Sequence, residues 1–136
     1  MGKLLERLKD ASRSGAYRVR SDAPVLDALH EGGLSPVKVV LKGVATKTDL
    51  LQRMALTLQF PEWFGGNWDA LEDCLAEVHG YLLFYDYRGL AADDLGVLLD
   101  VLASSAEFWA GQGKPFFAVF VDPDSGLGID DLFREA

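Results

Sequence analysis

Asp69 and Asp73 stand four residues apart in the run 67–75 (NWDALEDCL), with Glu72 between them and Glu77 just beyond. Residues four apart on a helix share a face, so a helix here would project both carboxylates together. Paired carboxylates can relay protons, hold a divalent cation or meet the cationic groups of another molecule. The same run supplies the helix. Asn67 is a good N-cap, and Trp68, Leu71, Leu75 and Val78 recur at the spacing of an apolar stripe. In the first turn Asp69 is favoured by the helix dipole, by about 0.3–1 kcal/mol. Asp73 has no such explanation. Like charges four apart cost roughly 0.2–0.5 kcal/mol, and no Lys or Arg occurs between Arg53 and Arg88 to offset them.

Just before this run lies Glu62-Trp63-Phe64-Gly65-Gly66. Aromatic residues in a loop beside an acidic helix face have the composition of a recognition surface, the rings as anchors and the charges for steering. The alternative is that the rings pack under a sheet, and one of Trp63 and Phe64 is expected to do each job. The other reactive side chains point to structure. His30 and His79 fall at predicted helix C-termini, where a histidine suits the dipole. Cys74 lies on the apolar side of its helix with Leu71 and Leu75, the setting of an inert core thiol. Gly65-Gly66-Asn67 and Gly111-Gln112-Gly113-Lys114 match neither a P-loop nor a dinucleotide fingerprint. An acid/base or metal site built on Asp69, Glu72, Asp73 and His79 would be poorly assembled, because His79 lies nearly two turns beyond Asp73. No catalytic residue, metal or cofactor is therefore expected.

The chain of 136 residues carries a net charge of −8 and is 49% apolar, so one domain with one core over 1–136 is expected. The acidity argues against direct nucleic-acid binding, since phosphates repel such a surface. It is also uneven. Lys3, Arg7, Lys9, Arg13, Arg18 and Arg20 crowd the N-terminus, whereas the window from Arg53 to Arg88 holds acids alone. A lone cysteine, no signal-like apolar stretch at the start and no apolar run approaching the ~20 residues of a membrane span point to a reduced, cytoplasmic protein.

Helix and strand signals alternate. Leu4, Leu5 and Leu8 mark a helix over 3–12, and 17–20 reads as a short strand. Ser21 or Asp22 can cap a helix that carries Pro24 in its first turn and ends at Gly32-Gly33. A strand over 37–41 (VKVVL) precedes a helix from Thr46 or Thr48 to Leu58, whose Leu50, Leu51, Met54, Leu56 and Leu58 are numerous enough to bury most of it. The acidic helix is expected to run to Val78. Then come a strand over 81–87, a helix over 92–110 with Leu95, Leu98, Leu99, Leu102 and Phe108 inside, and a strand over 115–121. The polar tail allows one helical turn at 129–133. Strands apolar on both faces imply an α/β, three-layer fold: a small parallel sheet flanked by helices.

The run 61–75, PEWFGGNWDALEDCL, resembles the signature of the barstar family, intracellular inhibitors of the secreted ribonuclease barnase. The resemblance covers about 37–121 as the family core, with a strand–helix extension at 1–36 and a short tail at 122–136. It implies three barstar-like strands, with the strand at 17–20 extending the sheet as a fourth. It also implies a loop and acidic helix that plug the active site of a basic ribonuclease of the barnase type, carboxylates standing in for RNA phosphates. Asp73 matches the family's central acid, Asp69 a second contacting acid, Trp63 the loop tyrosine, and Phe64, Gly65 and Asn67 the loop frame. Glu72 stands where the best-known member has a contacting tryptophan. A further family acid on the last helix has Glu107 as its nearest candidate, the strict alignment falling closer to Phe108. These departures leave open a second reading, a barstar-like fold that binds another basic protein.

Overall fold

The computed structural model describes residues 2–61 and 64–133. In chain order its elements are α1 (Lys3–Lys9), β1 (Gly15–Val19), α2 (Ala23–Glu31), β2 (Val37–Val40), α3 (Lys47–Leu58), α4 (Trp68–Leu75), β3 (Gly80–Tyr85), α5 (Ala92–Gly111) and β4 (Phe116–Val121). Among the described residues four strands form one sheet in the order β1-β4-β3-β2, every neighbouring pair parallel. β3 and β4 lie inside, and their sequences, GYLLFY and FFAVFV, are buried almost throughout. Successive strand residues point to opposite faces. Leu82, Phe84, Phe116, Ala118 and Phe120 therefore meet α3, α4 and α5 on one side. Tyr81, Leu83, Phe117 and Val119 meet α1 and α2 on the other. This is the three-layer α/β arrangement that the apolar strands imply, and the N-terminal strand extends the sheet beside β4.

Each helix buries one stripe and stops for a local reason. α3 is capped by Thr46, whose Oγ1 accepts the Asp49 N–H at 3.2 Å. It buries Leu50, Leu51 and Met54. Leu56 falls outside that stripe and is 78% exposed, so leucine content overstated how much of α3 is covered. α1 ends at Lys9 rather than residue 12, because the Asp10 carboxylate accepts the Ser12 N–H at 3.0 Å and starts a separate 3-10 turn. At the start of α2 the Asp22 carboxylate is turned away from capping and accepts the Tyr85 hydroxyl at 2.8 Å. α4 stops at Leu75, short of Val78. The Glu77 and Val78 N–H groups bond back only three residues as the chain turns into Gly80, where φ is +116°. In α5 the inward position of the last turn goes to Trp109, while Phe108, expected inside, is 45% exposed.

The tail also departs from expectation. No helical turn forms at 129–133. The Arg18 N–H donates to Asp130 O at 2.9 Å and the Leu132 N–H to Arg18 O at 3.0 Å, so the tail lies along the outer edge of β1. An outer strand presents unpaired backbone groups, and the tail satisfies some of them while burying Leu132 completely. Arg7 and Arg18 hold it by bonds to the carbonyls of Leu132 and Leu127. Asp122, fully buried at the end of β4, fixes the turn into the tail. Its carboxylate accepts the Tyr87 hydroxyl at 2.7 Å and the Leu127 N–H at 2.9 Å.

Burial opposes the charge on Asp122, but the Leu127 N–H, the Tyr87 hydroxyl, the Gly126 N–H and the positive charge of Arg18 outweigh it and hold the carboxyl below its ordinary value. A folded-state pKa below the unfolded one contributes stability at pH values above about 4, lost as the pH falls through the folded value. Asp122→Ala is expected to lower stability at neutral pH by about 1–3 kcal/mol for each buried donor left unpaired. Thermal melts across the acid range should show the gap between variant and parent closing below about pH 4.

Candidate protein-binding site

The acidic face is built by a loop that cannot be straight and a helix tied at both ends. α3 ends with Gln59 in the left-handed region, φ 55°. Phe60 then packs against Phe64 with ring centroids 5.2 Å apart. The Phe64 N–H bonds to Pro61 O at 3.0 Å. Phe64 is half-buried against the core, so it takes the inward job expected of one loop aromatic. Glu62 and Trp63 lie outside the described residues. Gly66 has φ +67°, a conformation natural to glycine. It delivers the chain to Asn67, whose Oδ1 accepts the Ala70 N–H at 2.7 Å as the cap of α4.

α4 buries Leu71, Cys74 and Leu75. At its C-terminus the Trp109 indole N–H donates to Leu75 O at 2.9 Å, a second bond to a carbonyl that also accepts the Val78 N–H at 3.2 Å. Trp68 is half-buried, and Lys47 Nζ from α3 lies 5.9 Å from its ring centroid. A cation absent from the neighbouring sequence thus stands near the start of α4. Burial raises the Cys74 thiol pKa, and the charges of Glu77 and Asp73 push it the same way, so the thiol stays protonated.

Asp69, Glu72 and Asp73 are all exposed on the outer side of α4. Glu72 and Asp73 fall in its last turn, at the negative end of the dipole, and that turn carries no basic residue. Asp69 has helix-end support for its charge, whereas Glu72 and Asp73 are placed against it. The Ser104 hydroxyl of α5 donates to Glu72 Oε1 at 2.7 Å, fixing that side chain. Between α4 and α5 opens a cleft of about 310 Å³ lined by Glu72, Asp73, Ala76, Ser104, Ser105 and Phe108. A second hollow, about 270 Å³, lies between α3 and the loop at Phe64, Gly65 and Gly66.

The structure therefore brings Phe64, Gly65, Asn67, Asp69, Glu72 and Asp73 onto one loop–helix unit. It does not bring Glu107 into the cleft. Successive helix residues are about 100° apart, and with Phe108 lining the cleft the exposed Glu107 points off to the side. Ser104 and Ser105 were not legible as lining the cleft, since two serines among the acids and apolar residues of α5 give no distinct signal. His79 packs against Trp109, centroids 5.0 Å apart, rather than joining the carboxylates. Among the described residues no three His, Cys, Asp or Glu side chains converge as a metal site. No helix among them is long and apolar enough to cross a membrane.

Residues 34–121 match the family described as Barstar (barnase inhibitor). The chain belongs to the barstar family. No curated protein matches it. The barstar match takes in β2, α3, α4, β3, α5 and β4, and so includes the whole loop–helix unit. It omits α1, β1 and α2, which nevertheless complete the sheet and bury the face of β3 and β4 that the barstar elements leave uncovered.

Two outcomes test this architecture. Asn67→Ala should cost about 0.5–2 kcal/mol in urea unfolding, with Asn67→Asp close to the parent. Cys74, 2% exposed, should resist a bulky thiol reagent in the native protein at pH 8 and react once urea unfolds it.

Proposed function

We propose that this barstar-family chain is a protein inhibitor of a basic, barnase-type ribonuclease, acting in the cytoplasm by occupying the enzyme's active site and performing no catalysis itself. The observation that carries the reading is the placement of exposed carboxylates, Asp69, Glu72 and Asp73, on a short helix fixed at both ends, two of them where the helix gains nothing from their charge. A ribonuclease active site is lined with cations that bind phosphate. A rigid row of carboxylates can meet those cations without reorganising, while the net charge of −8 raises the encounter rate at low salt. Trp63, next in sequence to Phe64 and Gly65, is the proposed aromatic anchor.

A second reading, binding of a basic protein that is not a nuclease, rests on one observation. Glu72 is drawn to Ser104, and Phe108, close to where the resemblance expects an acid on the last helix, lines the same cleft. Titrating the chain into a barnase-type ribonuclease while following RNA cleavage separates the two. The inhibitor reading expects stoichiometric inhibition, an association rate that falls with added salt, and at least roughly thirty-fold weaker binding for Asp73→Ala, because partner cations would be desolvated without a counter-charge. Absence of inhibition at micromolar protein, with a basic non-nuclease captured instead, would establish the second reading.

A further inference from the structure

The chain leaves β2, β3 and β4 side by side at the carboxyl end of the sheet, and the three exits enclose a crevice of about 380 Å³ that shares no residue with the loop–helix unit. Each exit is a turn closed by its own hydrogen bond: Val44 N–H to Leu41 O at 3.0 Å, Leu90 N–H to Tyr87 O at 3.1 Å, and Ser125 N–H to Asp122 O at 3.1 Å. The turns are also locked to one another. The buried Asp122 carboxylate joins the second to the third by accepting the Tyr87 hydroxyl and the Leu127 N–H. Gly89 packs the second against the first so closely that a Cβ there would stand 2.9 Å from Val44 O. Each turn brings charge to the crevice: Lys42 on the first, Arg88 on the second, Asp124 on the third. Asp86 lines it too, in the left-handed region at φ 58°. Arg88 and Asp124 form an exposed ion pair of the kind that contributes little. The side chains of Lys42 and Asp86 have no partner among the described residues. Tyr85 and Val121, at the ends of adjacent strands, supply apolar surface. The Tyr85 hydroxyl is committed to Asp22, which fixes the ring.

We infer that this crevice binds a ribonucleoside monophosphate. Ligands of open parallel sheets bind outside the carboxyl ends of the strands, and turns locked in this way hold their charged groups in place before a ligand arrives. The lining selects the ligand. Lys42 and Arg88 can share one phosphate, the guanidinium by two parallel bonds. Tyr85 and Val121 offer a base a surface to pack on. The Asp86 carboxylate is an acceptor suited to ribose hydroxyls. Inorganic phosphate would leave the apolar surface wet and meet two acids without compensation. A nucleoside without phosphate would leave both cations unanswered. A long nucleic acid would run against the rest of a chain whose net charge is −8. The volume lies at the lower end of the range for small-ligand pockets, which suits a mononucleotide better than a dinucleotide. Side chains alone hold the phosphate, so binding is expected to weaken with salt.

The test uses the full chain alone, by NMR titration with adenosine monophosphate, adenosine and inorganic phosphate. The expected result is a saturable shift of the Tyr85 ring and of the amides of Lys42, Gly43, Asp86, Arg88 and Asp124, several-fold tighter for the nucleotide than for either fragment. Lys42→Gln should weaken binding several-fold. Asp86→Gly should do the same while melting close to the parent, because glycine adopts the left-handed conformation freely. Equal affinity for phosphate alone would mean an adventitious ion only and would overturn the inference. So would equal affinity for adenosine, shifts centred on Lys3 and Arg13 of the basic N-terminus, binding unchanged in both variants, or no saturable shift at all. Because the crevice and the acidic helix share no residue, failure here leaves the inhibitor reading standing, and failure of inhibition leaves this one.

Discussion

Both faces of β3 and β4 must be shielded from water, and the rest of the molecule follows from that. The two strands place phenylalanine, leucine and valine alternately up and down, with no polar face to turn outward. Helices must therefore cover each side. The family core supplies α3, α4 and α5 on one side, and α1 and α2 supply the other. Tyr81, Leu83, Phe117 and Val119 would lie open to solvent without them. The N-terminal unit is thus a structural necessity of this chain. The tail that runs along β1 is in turn a consequence of adding a strand, because the new outer edge needs partners of its own.

That constraint also decides where charge can go. α4 has one face committed to Leu71, Cys74 and Leu75 and another free. Its ends are fixed by Asn67 and Trp109, so it tolerates acids that a less anchored helix of eight residues would not. Glu72 and Asp73 lie against the helix dipole and beside one another, without a basic residue in their turn. Within the fold Glu72 is held by the Ser104 hydroxyl of α5. The proposed partner would bring the cations that this turn of α4 lacks.

Much of this was legible beforehand. The apolar runs over 81–87 and 115–121 announced buried parallel strands, and the fifteen-residue motif announced the family. What was not legible depended on tertiary placement. Leu56 looked like core because leucine content does not reveal which stripe a helix buries. Phe108 and Trp109 are neighbours of similar character, and only packing against His79 and Leu75 decides that Trp109 turns inward. The tail's pairing with β1 is a contact more than a hundred residues distant in sequence, invisible to local periodicity. Glu107 was the nearest acid in sequence to an expected position, but the helix phase places Phe108 in the cleft instead.

The most direct measurement of the central claim, that the acids of α4 serve a partner rather than the fold, replaces Asp69, Glu72 and Asp73 together by Asn, Gln and Asn. Urea unfolding and inhibition of a barnase-type ribonuclease are then read on the same preparation. The account predicts stability within about 1 kcal/mol of the parent, since the lost dipole support of Asp69 is offset by relief of like-charge repulsion, together with loss of inhibition. Marked destabilisation with inhibition retained would contradict it, and would mean that these carboxylates hold the fold rather than a partner.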